Sequence, residues 1–255
     1  MQSKDTPENQ VELSPEDFSE IFKSIPKDCV LIGGQAVAVW AQYYNLGKSV
    51  TSKDIDFWGS TARLKELAAR LNTKVYTPHE YEMTWLSGAI RISVAGRKTS
   101  VELLHHVPGL DDENITRVAI PVNTHGIQIL ILTPVSLLLT KLYAVRHFDQ
   151  KDRDDLEHLK IAIAASKVFL AEVAPKDVKY CLWNCNRLIT AFKDKRHQKL
   201  EKQYQFQLLN AIPVETFRTL AQNQSLQDHQ KFANFLDISP AVFSSIFSTV
   251  TTVIQ

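Results

Sequence analysis

The sequence predicts an α+β domain over residues 1–132 followed by an all-helical domain over residues 133–255. Two observations carry this. Up to Leu132, short apolar or alternating segments are interleaved with amphipathic stripes, the periods of strands and helices in turn. From Thr133-Pro134 onward, a cap residue followed by proline at the first helical position, the pattern is helical almost to the end. Charge divides in a similar place. Residues 1–133 carry 13 basic and 16 acidic side chains, and residues 134–255 carry 16 and 12. With 255 residues, 44% hydrophobic, 22% charged and a net charge of +1, the composition is that of a globular protein and not of a uniformly basic nucleic-acid coat. Eight Gly and ten Pro exclude low complexity, and three cysteines are too few for a disulfide scaffold and fit a reducing cytosol. Met1 to Glu20 is polar and acidic, without the apolar core of a signal peptide, and no run reaches the ~18 apolar residues of a membrane span. The expectation is a soluble cytoplasmic protein with no membrane partner.

Element by element, Ser14-Pro15-Glu16-Asp17 opens a first helix running to about Ser24: serine caps, proline takes the first position and acids fill the first turn. Cys29-Val30-Leu31-Ile32 is a buried-strand pattern ended by Gly33-Gly34. Gln35 to Tyr44 is helical, with Ala36, Val39, Trp40 and Tyr43 in phase. Asp54-Ile55-Asp56-Phe57-Trp58 alternates polar with apolar, as a strand with one solvated face does. Thr61 to Leu71 places Leu64, Leu67, Ala68 and Leu71 on one stripe. Strands follow at 74–76, 89–94, 100–105, 117–122 and 127–132. In the helical part, Leu138, Leu142 and Val145 form one stripe and Leu156, Leu159 and Ile163 another.

The chemistry concentrates at Gly33-Gly34 and Asp54-Ile55-Asp56. Strand residues i and i+2 project from one face, so the two carboxylates point together. Such a pair can hold two Mg²⁺ ions roughly 3.5–4 Å apart, the arrangement suited to in-line phosphoryl transfer. Paired glycines between a strand and a helix let phosphate oxygens reach backbone N–H groups at a helix N-terminus. Ser100-Val101-Glu102-Leu103 supplies a third acid on another strand, Glu102 facing away from Val101 and Leu103.

This ordered set resembles the DNA polymerase β-like nucleotidyltransferase superfamily, whose signature is matched by Ile32-Gly33-Gly34, Asp54-Ile55-Asp56-Phe57 and Val101-Glu102-Leu103. Within it, Gly33-Gly34-Gln35-Ala36, Lys141-Leu142-Tyr143-Ala144 and Lys151-Asp152-Arg153-Asp154-Asp155-Leu156 are similar to segments of AbiEii-type and minimal nucleotidyltransferases. The likeness covers about residues 30–160. It implies a mixed β-sheet domain with flanking helices and transfer of NMP from an NTP, ATP among them, to an acceptor hydroxyl. Asp54, Asp56 and Glu102 would hold two Mg²⁺ ions, with Glu102 taking the acceptor's proton. Gly33, Gly34, Gln35, Lys53, Lys141, Asp152 and Asp155 would bind the nucleotide, and Lys141 would also serve catalysis by neutralising phosphate charge. The relatives imply tRNA or other RNA as acceptor and a cognate antitoxin as partner. Alternatives are transfer to a protein or an aminoglycoside-like molecule, or a catalytically silent member that binds a nucleotide or a partner. The sequence departs from the pattern in a long spacer before Asp54, in Ser52 where threonine is usual, and in Val50 where arginine is common, leaving Lys48 or Lys53 to meet phosphates.

Other motifs yield less. Gly47-Lys48-Ser49 lacks the upstream glycine of a P-loop, position 42 being Gln. Ser49, Ser52 and Ser60 have no G-x-S-x-G setting. His105 and His106, as neighbours on a strand, face opposite ways, and Cys181 and Cys185 read as helix-core packing. A basic stretch holding Arg187, Lys193, Lys195, Arg196, Lys199 and Lys202, with Trp183, Phe192 and Tyr204 around it, reads either as a solvated helix face or as a docking surface for an RNA backbone.

Overall fold

Alternating burial along β2 (Asp54–Trp58) organises the first half of the chain: Ile55 and Phe57 point into the core and the residues between them to the other side. The computed structural model describes residues 15, 17–48, 50, 52–79, 82, 84–94, 96–151, 153–223 and 229–238. With β1 (Val30–Ile32), β3 (Val75–Tyr76), β4 (Leu86–Val94), β5 (Arg97–Leu104), β6 (Ala119–Thr124) and β7 (Ile127–Leu132), β2 forms a seven-stranded sheet in the order β3-β4-β5-β2-β1-β7-β6. Two pairs, β1 with β7 and β2 with β5, are parallel and the rest antiparallel, so the sheet is mixed. Helix α1 (Ser19–Ser24) precedes β1, α2 (Gly33–Tyr43) lies between β1 and β2, and α3 (Thr61–Arg70) lies between β2 and β3. After β7 come α4 (Pro134–His147), α5 (Asp155–Val173), α6 (Val178–Lys193), α7 (Lys195–Tyr204), α8 (Val214–Gln222) and α9 (His229–Ile238). The fold is α+β with a helical C-terminal region, and contacts divide the chain into two compact units, Met1–Lys141 and Leu142–Gln255. No described helix is long and apolar enough to cross a membrane.

In the first unit, Ile55, Phe57, Ile90, Val101 and Leu103 are fully buried on one sheet face. Leu64 and Leu67 of α3 are fully buried as well, and Leu64 packs at Gly88 of β4. The Phe22 ring of α1 meets Phe57 edge-on, 6.5 Å between centroids. Trp40 of α2 donates its indole N–H to the carbonyl of Leu132 at 2.8 Å, a buried bond that anchors the helix to the end of β7. Thr133 then starts α4, its carbonyl accepting from Leu137 N at 3.0 Å. At the free edge of the sheet, Pro121 sits in β6 opposite Leu130.

Several boundaries differ from the sequence reading. Phe18 N bonds Pro15 O, and this turn delivers a fully buried Phe18 as the residue before α1, which starts at Ser19. Ser14 and Glu16 lie outside the described residues. β4 and β5 each begin three residues before the expected start, because they pair with each other from Leu86↔Leu104 to Val94↔Arg97 and main-chain pairing does not depend on side-chain alternation. His105 and His106 fall just past β5 rather than on it.

In the second unit α5 is buried on more sides than one stripe: Asp155, His158, Leu159, Ala162, Ser166 and Leu170 are all inside. It packs against α6 and a 3-10 turn at Leu208–Ala211. Phe217 of α8 stacks on Phe232 of α9, 4.9 Å between centroids. The expected basic stretch is not one continuous face. The chain breaks at Asp194, which leaves Lys193 at the end of α6 and Lys195 at the start of α7. Arg196 is committed to Asp194, with Nη2 2.7 Å from Oδ2, and Arg187 lies over the Trp183 ring at 4.7 Å. Lys193, Lys195, Lys199 and Lys202 remain exposed. Cys181 and Cys185 are fully buried.

Asp194 accepts from Arg196 N and caps α7. The Arg196 guanidinium, and then its backbone N–H, hold the Asp194 carboxyl well below the usual carboxylate range. A lowered acid contributes stability above its unfolded pKa and loses it as pH falls through the folded value. Asp194→Ala should therefore melt below the parent at pH 7 and approach it in strong acid; a difference that does not vary with pH would show that the pairing contributes nothing.

Candidate active site

β2 and β5 lie side by side in parallel, with Asp54 opposite Ser100 and Asp56 opposite Glu102. Paired positions share a sheet face, so Asp54, Asp56 and Glu102 come to one side, where one oxygen of each lies within 4.8 Å of the others. All three are partly exposed. Two serine hydroxyls steady the set: Ser52 Oγ donates to Asp54 Oδ1 at 3.2 Å and Ser100 Oγ to Glu102 Oε1 at 3.3 Å. Burial raises the Glu102 carboxyl above its ordinary value, the Asp54 charge adds to this, and the Ser100 hydroxyl opposes it. Three convergent carboxylates with no sulfur or imidazole among them are a hard oxygen donor set, suited to Mg²⁺ or a similar divalent cation.

The glycines have a tighter role than expected. Asp56 pairs with Ile32 across β1 and β2, which brings its carboxylate against Gly33. Gly33 has a φ of +69°, and a methyl group on it would stand 2.9 Å from Asp56 Cγ and closer still to Oδ2. Only glycine meets both demands. The residue before the helix is Ile32, which offers no side-chain cap. The first-turn amides of Gly33, Gly34 and Gln35 thus open the positive end of α2 beside Asp56.

The remaining sequence-predicted residues are placed as follows. Gln35 is fully buried in α2. Lys53 is exposed, and its carbonyl accepts from Thr99 Oγ1 at 2.6 Å. Lys141 is buried in α4. Asp155 is buried in the first turn of α5 and accepts from Arg153 Nε at 2.6 Å. Asp152 lies outside the described residues. The structure thus brings Asp54, Asp56, Glu102 and Gly33 together. Ser100 escaped the sequence reading, although its spacing from Glu102 already put both on one strand face. A cavity of about 460 Å³, lined by Ser60, Thr61, His79, Ser87 and His105 among others, contains none of the three acids. The acids lie instead on the half-exposed face of the sheet.

No family model and no curated protein matches the chain. Among solved structures, it is similar to an antigenic nucleotidyltransferase-like protein from Paracoccidioides brasiliensis, with 13% identity, 74% of this chain and 95% of that chain covered, and a TM-score of 0.41.

Two outcomes test this geometry. Gly33→Ala should displace the Asp56 carboxylate and weaken Mn²⁺ binding by about tenfold or more, at a stability cost of about 1–3 kcal/mol for the strained backbone; unchanged Mn²⁺ affinity by calorimetry would refute the contact. A raised carboxyl favours the protonated form on folding, so ionising Glu102 costs stability as pH rises through its folded value. In EDTA, Glu102→Gln should melt above the parent at neutral pH, with the gap closing in acid below the ordinary carboxylate range.

Proposed function

We propose that the chain is a metal-dependent nucleotidyltransferase, moving NMP from an NTP to an acceptor hydroxyl with release of pyrophosphate. The observation that carries this reading is the convergence of Asp54, Asp56 and Glu102 on one partly exposed sheet face, with the start of α2 packed against Asp56. In the reaction, the acceptor oxygen bonds to the α-phosphorus, the bond to the bridging oxygen of the β-phosphate breaks, and the acceptor's proton leaves to a base.

Asp54 and Asp56 would hold the two cations jointly, and Glu102 would complete one of the two sites. Bound Mg²⁺ supplies charge neutralisation for the transferring phosphoryl group. The amides of Gly33, Gly34 and Gln35 receive triphosphate oxygens at the positive end of α2. Lys53 and Lys141 add positive charge. Glu102, on the strand beside the two aspartates, would also take the acceptor's proton. Most of the work is positioning and electrostatic stabilisation. In its finer form the proposal takes RNA as the acceptor and a cognate antitoxin as regulator, as the likeness of residues 30–160 to AbiEii-type proteins implies.

The direct test incubates the protein with each labelled NTP, Mg²⁺ and total RNA, small hydroxyl acceptors or the protein alone. Asp54→Ala and Asp56→Ala should each cut transfer by on the order of a hundredfold or more while keeping the parent's circular dichroism, since both side chains are partly exposed on a strand. Transfer at the parent rate in both variants would end this reading.

A further inference from the structure

The sheet face that carries the three acids continues away from them. Across β2, β5, β4 and β3, one register row reads Asp56, Glu102, Ala89 and Tyr76, and the next reads Asp54, Ser100 and Arg91. Members of a row share a face. Beyond Glu102 the floor is therefore the small side chain of Ala89, and on the far side stand Tyr76, 50% exposed, and an exposed Arg91. The Arg91 guanidinium lies over the Tyr76 ring, 5.2 Å from its centroid. Tyr76 is two strand spacings from Glu102, roughly 10 Å.

We infer that this ledge receives the acceptor, and that the acceptor is an unpaired nucleotide at the end of a single strand, its base stacked on the Tyr76–Arg91 pair. The inference rests on the nucleotidyl-transfer reading above. Direction comes from in-line displacement, in which the attacking and leaving oxygens lie on opposite sides of the phosphorus. The start of α2 at Gly33 adjoins β1, on one side of the acids, and would take the pyrophosphate. Glu102, Ala89, Tyr76 and Arg91 extend on the other. Chemistry comes from the ledge itself. An exposed aromatic ring with a guanidinium over it is a platform for bases, and its charge suits the neighbouring phosphate. A polycationic aminoglycoside would meet Arg91 as a like charge, and a protein hydroxyl has no need of a stacking surface.

The probe is a short single-stranded oligoribonucleotide ending in 2-aminopurine, whose fluorescence falls on stacking. The parent should bind and quench it. Tyr76→Ala should weaken binding about tenfold and remove the quench, as loss of one stacked base does, with the KM for NTP held within twofold. Tyr76→Phe should restore both signals, and Arg91→Gln should weaken binding and lower its salt dependence. Equal binding by Tyr76→Ala, an equivalent rise in its KM for NTP, or no binding by the parent would each overturn the inference. The two readings fail separately. Transfer of NMP to any acceptor without dependence on Tyr76 overturns the ledge and leaves the enzyme. Tyr76-dependent quenching in a protein that transfers nothing refutes the enzyme and overturns the acceptor role, leaving the ledge as a base-binding surface alone.

Discussion

Like charges crowded onto one patch of backbone repel, and the first unit is arranged so that Asp54, Asp56 and Glu102 cannot relax apart. β2 and β5 are neighbours in the middle of a seven-stranded sheet, with ladders on both sides, so neither can slide without breaking the register of the other. The opposite face is locked by Ile55, Phe57, Val101 and Leu103, each fully buried and next in sequence to one of the acids. A slip of one residue would carry those side chains into solvent and the carboxylates into the core. The apolar half of the alternation thus holds the charged half in place. The raised proton affinity of Glu102 comes first from its burial and then from the Asp54 charge held beside it, a cost that a bound cation would offset.

Much of this was legible in the sequence, and the reasons differ by element. β2 matches its expected bounds because strict alternation over five residues has one reading. β7 matches because its run ends at the helix signal Thr133-Pro134. The three acids could be grouped because each sits on a strand next to a buried apolar residue. Their adjacency was not legible from local pattern. The parallel pairing of β2 with β5 is decided by packing across the intervening α3, β3 and β4. Gly33 was expected to face phosphates; that it must yield space to Asp56 was not readable, since that contact depends on the register of β1 against β2. Tyr76 and Arg91 gave no signal, being an ordinary aromatic and an ordinary charge until the register placed them together.

The second unit shows the same limit from the other side. A run of basic residues looked continuous, yet one aspartate divides it: Asp194 ends α6, caps α7 and takes up Arg196. α5 looked like a helix with one apolar stripe, but it is surrounded, and its buried positions include Asp155 and His158. Buried polar groups need partners, and Arg153 supplies one for Asp155. Periodicity counts apolar residues and so undercounts the interior of a helix that buries polar residues as well.

The proline in β6 has a consequence for association. β6 is an edge of the sheet, where unpaired backbone groups would ordinarily accept a further strand from another molecule. Pro121 has no N–H to give, so the hydrogen-bond row on that edge is interrupted near its middle. A partner protein meeting this side of the sheet must recognise side chains, because the backbone there offers no continuous template, and the same interruption protects concentrated protein from edge-to-edge stacking into fibrils.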